Sequence, residues 1–519
     1  MDKKASLFGR ISVFLLALLM LFSFVGCQET PTTPADTDPA QTDPAQTDPA
    51  QTDPADTDPT ESNPTESNPT ESDPAETDPP EERPDLPEVN YGNTVFTILI
   101  RKSVMHDIYV EKVTAASTSM ERAVYDRMKN VSLDYGVIFE TKQVDKVNDS
   151  VYSNVKSGSD VFDLVADHGH YVLDCVSSGY MYDWNDLKYI DLQGEWWNQS
   201  SREAFTTPGG KTFAMHGDIS HNLLENAICL FFNRDMIEDL DLISPFDLVR
   251  DNKWTFDNFE EYVVTLYSNM DGDGTGSLAT DSFGYGADYW CGPHATLFST
   301  GNPTVVWEDE EWKFSLTNDR VGNAMFDYRD LLFSSGATYF SPTDRIDKLS
   351  QAFLGGRMAF FDGVLGTAST LAGTGTNFGV LPFPKYDRRG EYGTYGSVGA
   401  NVYAVMRNTS TENAERISVI TEALAYGGYK NVLPLYYETV LAYQQLEDED
   451  SLEMLKIIHD TIRIDFGYFY SKAGSTFQTT VTDPTAGSLS QAFGEVEESA
   501  IKHLMDTWNV LDLEEDGEE

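Results

Sequence analysis

From Thr94 to Ala166 the chain alternates strand-like and helix-like segments, and this order constrains the fold more than any other feature of the sequence. TVFTILI, Thr94 to Ile100, is an apolar, β-prone run, long enough for one strand and too short for an ordinary helix. Thr118 to Tyr135 places Met120, Val124, Met128, Val131 and Tyr135 at helical spacing. Thr118 and Glu121 stand in capping-box register, and Gly136 is placed to end the helix. Val137 to Thr141 reads as a second strand, Asp149 to Lys156 as a short helix stopped by Gly158, and Val161 to Ala166 as a third strand. A β-α-β-α-β order implies parallel pairing through right-handed crossovers, and in such sheets ligands bind beyond the carboxyl ends of the strands. That rule selects two loops, Arg101 to Met105 and Asp167 to His170.

The amino terminus obeys other rules. Lys3, Lys4 and Arg10 precede a 14-residue, mostly apolar run, Ile11 to Phe24, which fits an export signal and is shorter than a spanning helix. Phe24-Val25-Gly26-Cys27 resembles the lipobox of bacterial lipoproteins, with Phe24 where Leu is usual. The resemblance makes 1–26 the signal peptide and Cys27 the lipidated first mature residue, anchored by two acyl chains; a plain signal peptide with an incidental cysteine is the alternative. Residues 28–89 hold fourteen of the 23 prolines and eighteen acids against Arg83. With almost nothing apolar to bury, such a segment cannot offset its ordering entropy. It reads as a disordered tether with a reach of at most roughly 190 Å.

Net charge is −50, of which −35 falls on residues 90–519, so polyanions, nucleic acid among them, are disfavoured partners. The 519 residues exceed what one hydrophobic core usually supports, and more than one lobe is expected. Cys175, Cys229 and Cys291 have no metal-like spacing and allow at most one disulfide; buried free thiols are the expected state.

Ile228 to Phe232 is a continuous apolar run that reads as a buried strand. Asn233-Arg234-Asp235 then opens a helix with Met236, Ile237 and Leu240. Thr255 suits the N-cap of another, with Trp254 and Phe259 placed for a hydrophobic staple. Helical spacing continues in Thr411 to Gly428, which glycine is expected to end, and in most of the remaining sequence to about Val510.

The order Phe232-Asn233-Arg234-Asp235, a polar turn and Trp254-Thr255 resembles the extracellular solute-binding proteins of bacterial ABC importers, in family 1, whose members mostly take up carbohydrates. Arg234 stands where Lys is commoner. The resemblance spans about 430 residues. Trp196-Trp197-Asn198, the stretch Gly210 to Asp218, the stretch Phe353 to Gly363 and Phe378 to Pro384 match further segments, with Phe213 in place of Tyr. It implies an α/β, two-lobed periplasmic-binding-protein type II fold with a hinged interlobe cleft, preceded by the disordered tether. Lobe 1 would comprise about 90–220 and 351–398, and lobe 2 about 221–350 and 399–519.

Candidate ligand-binding residues follow from both arguments. Arg101, Asp167 and His168 stand at the ends of predicted strands, and the resemblance adds Asp218 and Asp362. Trp197, Trp290 and Tyr395, with Trp196 and Tyr289, suit sugar stacking, since a pyranose face offers C–H groups to an aromatic ring while its hydroxyls need polar partners. A place in the core is the alternative for each aromatic, and Trp196 and Trp197 cannot both face a ligand from one strand. His168 and His170 with Asp167 read either as hydrogen-bond donors at a cleft rim or as a metal-capture set. Asp271, Asp273, Thr275 and Ser277, with Asp281 one place before the twelfth position, read as a structural calcium loop or as a solvated acidic turn.

Enzyme motifs are poor: no His-Glu-x-x-His, phosphate loop or nucleophile elbow occurs. No other cofactor is expected. The sequence reads as a lipid-anchored binding component on the outer face of the cytoplasmic membrane. It would close its lobes about a small soluble ligand, an oligosaccharide by the resemblance, and deliver it to ABC permease subunits without turnover. A cell-surface glycosidase and an adhesive carbohydrate-binding protein are the rival readings.

Overall fold

The structure is a computed structural model that describes residues 83–512, apart from Val398, 445–448, Phe466, Phe469, Tyr470 and Glu495. The signal segment, Cys27 and the tether as far as residue 82 lie outside the described residues. Among the described residues, no helix is long and apolar enough to cross a membrane.

Two sheets organise the domain. The first contains β1 (Thr94–Arg101), β2 (Val137–Val144) and β3 (Leu164–His168). They pair in parallel in the order β3-β1-β2, as the alternation of strands and helices requires. The intervening helix, Ser119–Tyr135, carries the expected capping box between Thr118 and Glu121 and closes at left-handed Gly136. Alternate residues of β1 feed two cores. Phe96, Ile98 and Ile100 join the apolar cluster on one face, and Leu99 joins the cluster on the other. A parallel sheet covered on both faces is the arrangement expected for strands joined through helices.

The second sheet is built on β4 (Ile228–Asn233), every residue of which is buried. Its order is β10-β4-β9-β5-β8, with β5 at Phe283–Ala287, β8 at Thr338–Phe340, β9 at Met358–Val364 and β10 at Phe378–Pro382. β6 (Val305–Glu308) and β7 (Glu311–Phe314) form an antiparallel hairpin apart from it. Asn233 caps the Arg234–Glu238 helix through its side chain, which accepts from the Met236 N–H at 3.2 Å. Trp254 and Phe259 form the staple, with ring centroids 5.8 Å apart. Thr255 occupies the N-cap without a capping bond, because its hydroxyl donates to Asn258 instead.

Three expectations need correction. The sequence reading assigned 351–398 to the first lobe and 399 onward to the second, but the strands fall the other way. β9 lies between β4 and β5, where Phe361 stacks on Phe231 at 4.8 Å. β12 (Asn401–Ala404) then returns to the first sheet, antiparallel to β3. A strand buried on both faces fits the interior of either sheet, and pairing with β4 and β5 puts this one in the second. The resemblance implies a hairpin at Gly210 to Asp218, but that stretch makes only isolated bridges, among them Met215 to Tyr403 and Gly217 to Trp197. The helix expected to end at Gly428 runs on, as Thr411–Asn431. Gly428 serves close approach rather than termination: a Cβ there would lie 1.6 Å from the carbonyl oxygen of Asp218.

Replacing a mid-helix glycine by alanine normally stabilises a helix by about 1 kcal/mol. For Gly428→Ala the sign reverses, with an expected loss of about 1–3 kcal/mol from overpacking. The measurement is urea unfolding, read as a lower midpoint at unchanged slope.

Candidate functional site

A buried carboxylate, Glu422, holds in place Trp197, which lines a cavity of the domain. Glu422 sits on the inner face of the Thr411–Asn431 helix with no solvent exposure. Its two oxygens accept from Trp196 Nε1 and Trp197 Nε1, each at 2.9 Å, and from the backbone N–H of Asp191 at 3.1 Å. Burial pushes the carboxyl up to about 7, against the pull of these donors. The 195–198 segment is a turn rather than a strand, so both indoles reach one acceptor. Trp196 packs edge-on against Tyr426 and Trp197 against Trp184, with centroids 5.3 Å apart in each pair. Gly217 leaves room for the Trp197 ring, since a Cβ would meet it at 2.2 Å.

The cavity that Trp197 lines has a volume of about 850 Å3. On one side stand Glu195, Trp197 and Asp218, in segments tied to the first sheet through Met215 and Tyr403. On the other stand Tyr437, Lys456 and His459, from the helices Leu433–Gln444 and Glu449–Asp460. The latter helix packs on β10 of the second sheet. The cavity therefore lies where elements of the two sheets meet.

Its polar groups are coupled. Asp218 is half-exposed at its surface but set among protein groups, and this burial pushes its carboxyl up to about 7 while His459 opposes the shift. Burial lowers the basicity of His459, but Asp460 and Asp218 together outweigh it, so the imidazole is held above its ordinary value. Tyr429 donates to Glu195 at 2.5 Å, and the Tyr437 ring stands edge-on to His459 at 6.1 Å. Aromatic edges, mixed charges and an apolar patch from Leu223, Leu433 and Ile462 line one space. Such a lining can offer apolar contact and hydrogen-bond partners to one small molecule.

The sequence-selected residues divide into three places. Trp197 and Asp218 line this cavity. Arg101, Asp167 and His168 stand together at the carboxyl ends of β1 and β3. Asp167 is fully buried and its carboxylate accepts from the backbone N–H groups of Val147 and His168, at 3.0 and 2.7 Å, with Arg101 Nη1 3.6 Å away. Burial pushes that acid up to about 6 and holds the His168 imidazole down at about 4. Arg101 also lies over the Tyr171 ring.

In the second sheet Asp362 is fully buried, accepting from Tyr285 Oη and the Asp288 N–H, both at 2.9 Å, while Asp288 pairs with Arg345. Trp290 is half-buried against His294 and Tyr395. Tyr395 is buried in β11 (Thr394–Tyr395), which pairs with β13 (Ile462–Arg463), the strand that gives Ile462 to the cavity. Asp271, Asp273 and Thr275 form an exposed run of turns, with Asp273 N–H bonded to Asp271 and Thr275 N–H to Asp273. Buried Asp281 accepts from Met270 N–H and Ser277 N–H. These carboxylates organise their own loop. Cys175, Cys229 and Cys291 are free and buried.

Sequence reasoning missed Glu422, Tyr437, Lys456 and His459. Glu422 left no signal in the spacing: at 100° per residue it lies on the side of the helix away from Ile417, Ile420 and Leu424, where a charged residue ordinarily meets solvent, yet the helix is buried on that side too. The others lie in a stretch read only as helical.

Burial, with repulsion from Asp288, pushes the Asp362 carboxyl up to about 8 from an ordinary 3.8. Between these values the folded state holds a proton that the unfolded chain releases, so this residue makes stability fall as pH rises through the window. Asp362→Asn removes that slope. The melting temperature of the variant, relative to the parent, should climb from pH 4 to pH 8; a constant difference would contradict the assignment.

No protein-family model matches the chain, and no curated protein matches it. Solved structures do. UspC of M. tuberculosis superposes with a TM-score of 0.53 at 14% identity, covering 79% of this chain and 100% of that one. The cyclic alpha-maltosyl-1,6-maltose binding protein of Arthrobacter globiformis gives 0.49 at 13% identity, over 81% and 98%. An ABC transporter solute-binding protein of Thermotoga lettingae, bound with alpha-D-tagatose, gives 0.47 at 16% identity, over 81% and 100%. With two sheets linked by repeated chain passages and a cavity where their elements meet, the chain has the two-lobed α/β fold of the periplasmic-binding-protein type.

Proposed function

We propose that this chain captures a small, hydroxyl-rich solute, an oligosaccharide in the first instance, and passes it unaltered to the permease of an ABC importer. The observation that carries the reading is the cavity of about 850 Å3 whose walls come from elements attached to different sheets. Its size falls within the range of small-molecule sites. A ligand touching both walls binds the closed arrangement better than the open one and shifts the population by that difference. Trp197 and Tyr437 supply aromatic surface, and Asp218, Glu438, Lys456 and His459 supply hydroxyl partners. The proposal includes the anchor: Cys27 carries the lipid, and the proline-rich tether lifts the domain from the outer face of the cytoplasmic membrane. The 271–281 loop holds its shape through its own hydrogen bonds, and structural calcium there remains part of the proposal, tested by melting with and without chelator.

The reading is tested by a thermal-shift screen of the chain against a panel of mono- and oligosaccharides. A ligand at about 100 times its Kd should add about 2.7 kcal/mol. Tyr437→Ala should weaken binding by about tenfold, equivalent to about 1.4 kcal/mol, without changing the unliganded melting temperature by more than a few degrees. Release of reducing ends from any bound oligosaccharide would favour the glycosidase reading instead.

A further inference from the structure

Where the chain leaves the first sheet for the second, three metal-ligating side chains from two short helices converge, with exposed His106 beside one of them. His106 and Asp107 lie in the Met105–Ile108 helix just beyond β1, and Glu225 closes the Asn222–Glu225 helix just before β4, with His221 at its N-cap. Ligand atoms of Asp107, His221 and Glu225 all lie within 4.8 Å of one another. His106 Nε2 is 3.0 Å from Asp107 Oδ1, and His221 Nε2 is 3.9 Å from Glu225 Oε2. Neighbouring donors around a tetrahedral zinc ion are about 3.4 Å apart, given bonds of about 2.0–2.2 Å. These two separations bracket that edge.

An acidic cluster alone would carry nothing, but His221 adds an independent observation. Its side chain is only 8% exposed, Nδ1 has no hydrogen-bond partner, and Nε2 faces Glu225 from beyond hydrogen-bond reach. The Nδ1 of this buried imidazole has lost its water without replacement. The ring is held against Tyr436 at 4.6 Å, so it cannot swing out to solvent without leaving that contact. Asn222 completes the surround: its amide donates to Asp107 Oδ2 at 3.2 Å, and its carbonyl accepts from the Asn401 N–H at 2.9 Å. A ligand oriented by an outer amide that is itself fixed to the sheet is the support metal sites use. The charge of nearby Arg127 is directed elsewhere, onto the carbonyls of Ile108 and Ile219. His106 is exposed, which leaves the cluster open to solvent on one side.

We propose that His106, Asp107, His221 and Glu225 bind a first-row divalent cation, with zinc the best match to two imidazoles and two carboxylates. Imidazole ligands argue against calcium and magnesium. The ion would staple the turn after β1 to the segment entering β4, stiffening the passage between the sheets. The inference does not depend on what occupies the larger cavity.

The test is calorimetric titration of the chelator-treated chain with zinc chloride, with metal content counted by mass spectrometry. So acidic a chain will take up zinc weakly at many places, so the expected signature is one tight equivalent per chain above that background. Cobalt in place of zinc should give the visible absorption of a four-coordinate ion. Glu225→Gln, at a half-exposed position where folding is safe, and His221→Ala should each weaken the tight step by at least about tenfold, with unchanged circular dichroism. His170→Ala, in the other histidine pair, should leave it intact. The absence of a tight equivalent in the parent, its retention in Glu225→Gln, or its loss in His170→Ala would each overturn the proposal.

Discussion

Glu422 is the interaction on which the shape of the candidate site depends. A carboxylate without solvent exposure is tolerated only if donors replace its water, and here two indole N–H groups and a backbone N–H do so. The consequence is geometric. Both tryptophans are fixed to the Thr411–Asn431 helix, the 195–198 turn is fixed with them, and Asp218 is brought against Gly428 of the same helix. The site wall is thus positioned by one helix packed on the first sheet. The facing wall belongs to the Leu433–Gln444 and Glu449–Asp460 helices, the second of which packs on β10.

The same economy governs the other buried acids. Asp167 sits near a strand end, Asp281 at a loop base and Asp362 inside β9, places where a sequence reading sees ligand donors, and each accepts from backbone N–H groups of its own surroundings. A carboxylate engaged in this way shapes a loop first. The acids at the cavity, Asp218 and Asp460, instead have His459 as a neighbour, which leaves a polar cluster facing open space.

Much of the fold was legible because local rules and global pattern agreed. The capping box at Thr118, the strand at Ile228 to Phe232, the staple of Trp254 on Phe259 and the parallel first sheet all followed from spacing. The assignment of β9 was not legible, since a strand apolar on both faces fits the interior of either sheet and only pairing decides. Gly428 looked like a helix stop because its real partner, the Asp218 carbonyl, lies 210 residues away in sequence. Of the site, Trp197 and Asp218 were found through aromatic chemistry and family resemblance. Tyr437, Lys456 and His459 were hidden in a helical tail, where polar residues ordinarily face solvent.

The central claim is that the space between Trp197 and Asp218 on one side and Tyr437 and His459 on the other is where a solute is held. A crystal structure of the chain with a bound sugar tests it most directly. The account predicts ligand density against these four side chains, with the helices of the second wall drawn toward Trp197. Density instead beyond β1 and β3, against Arg101 and His168 with the 850 Å3 cavity unfilled, would contradict it.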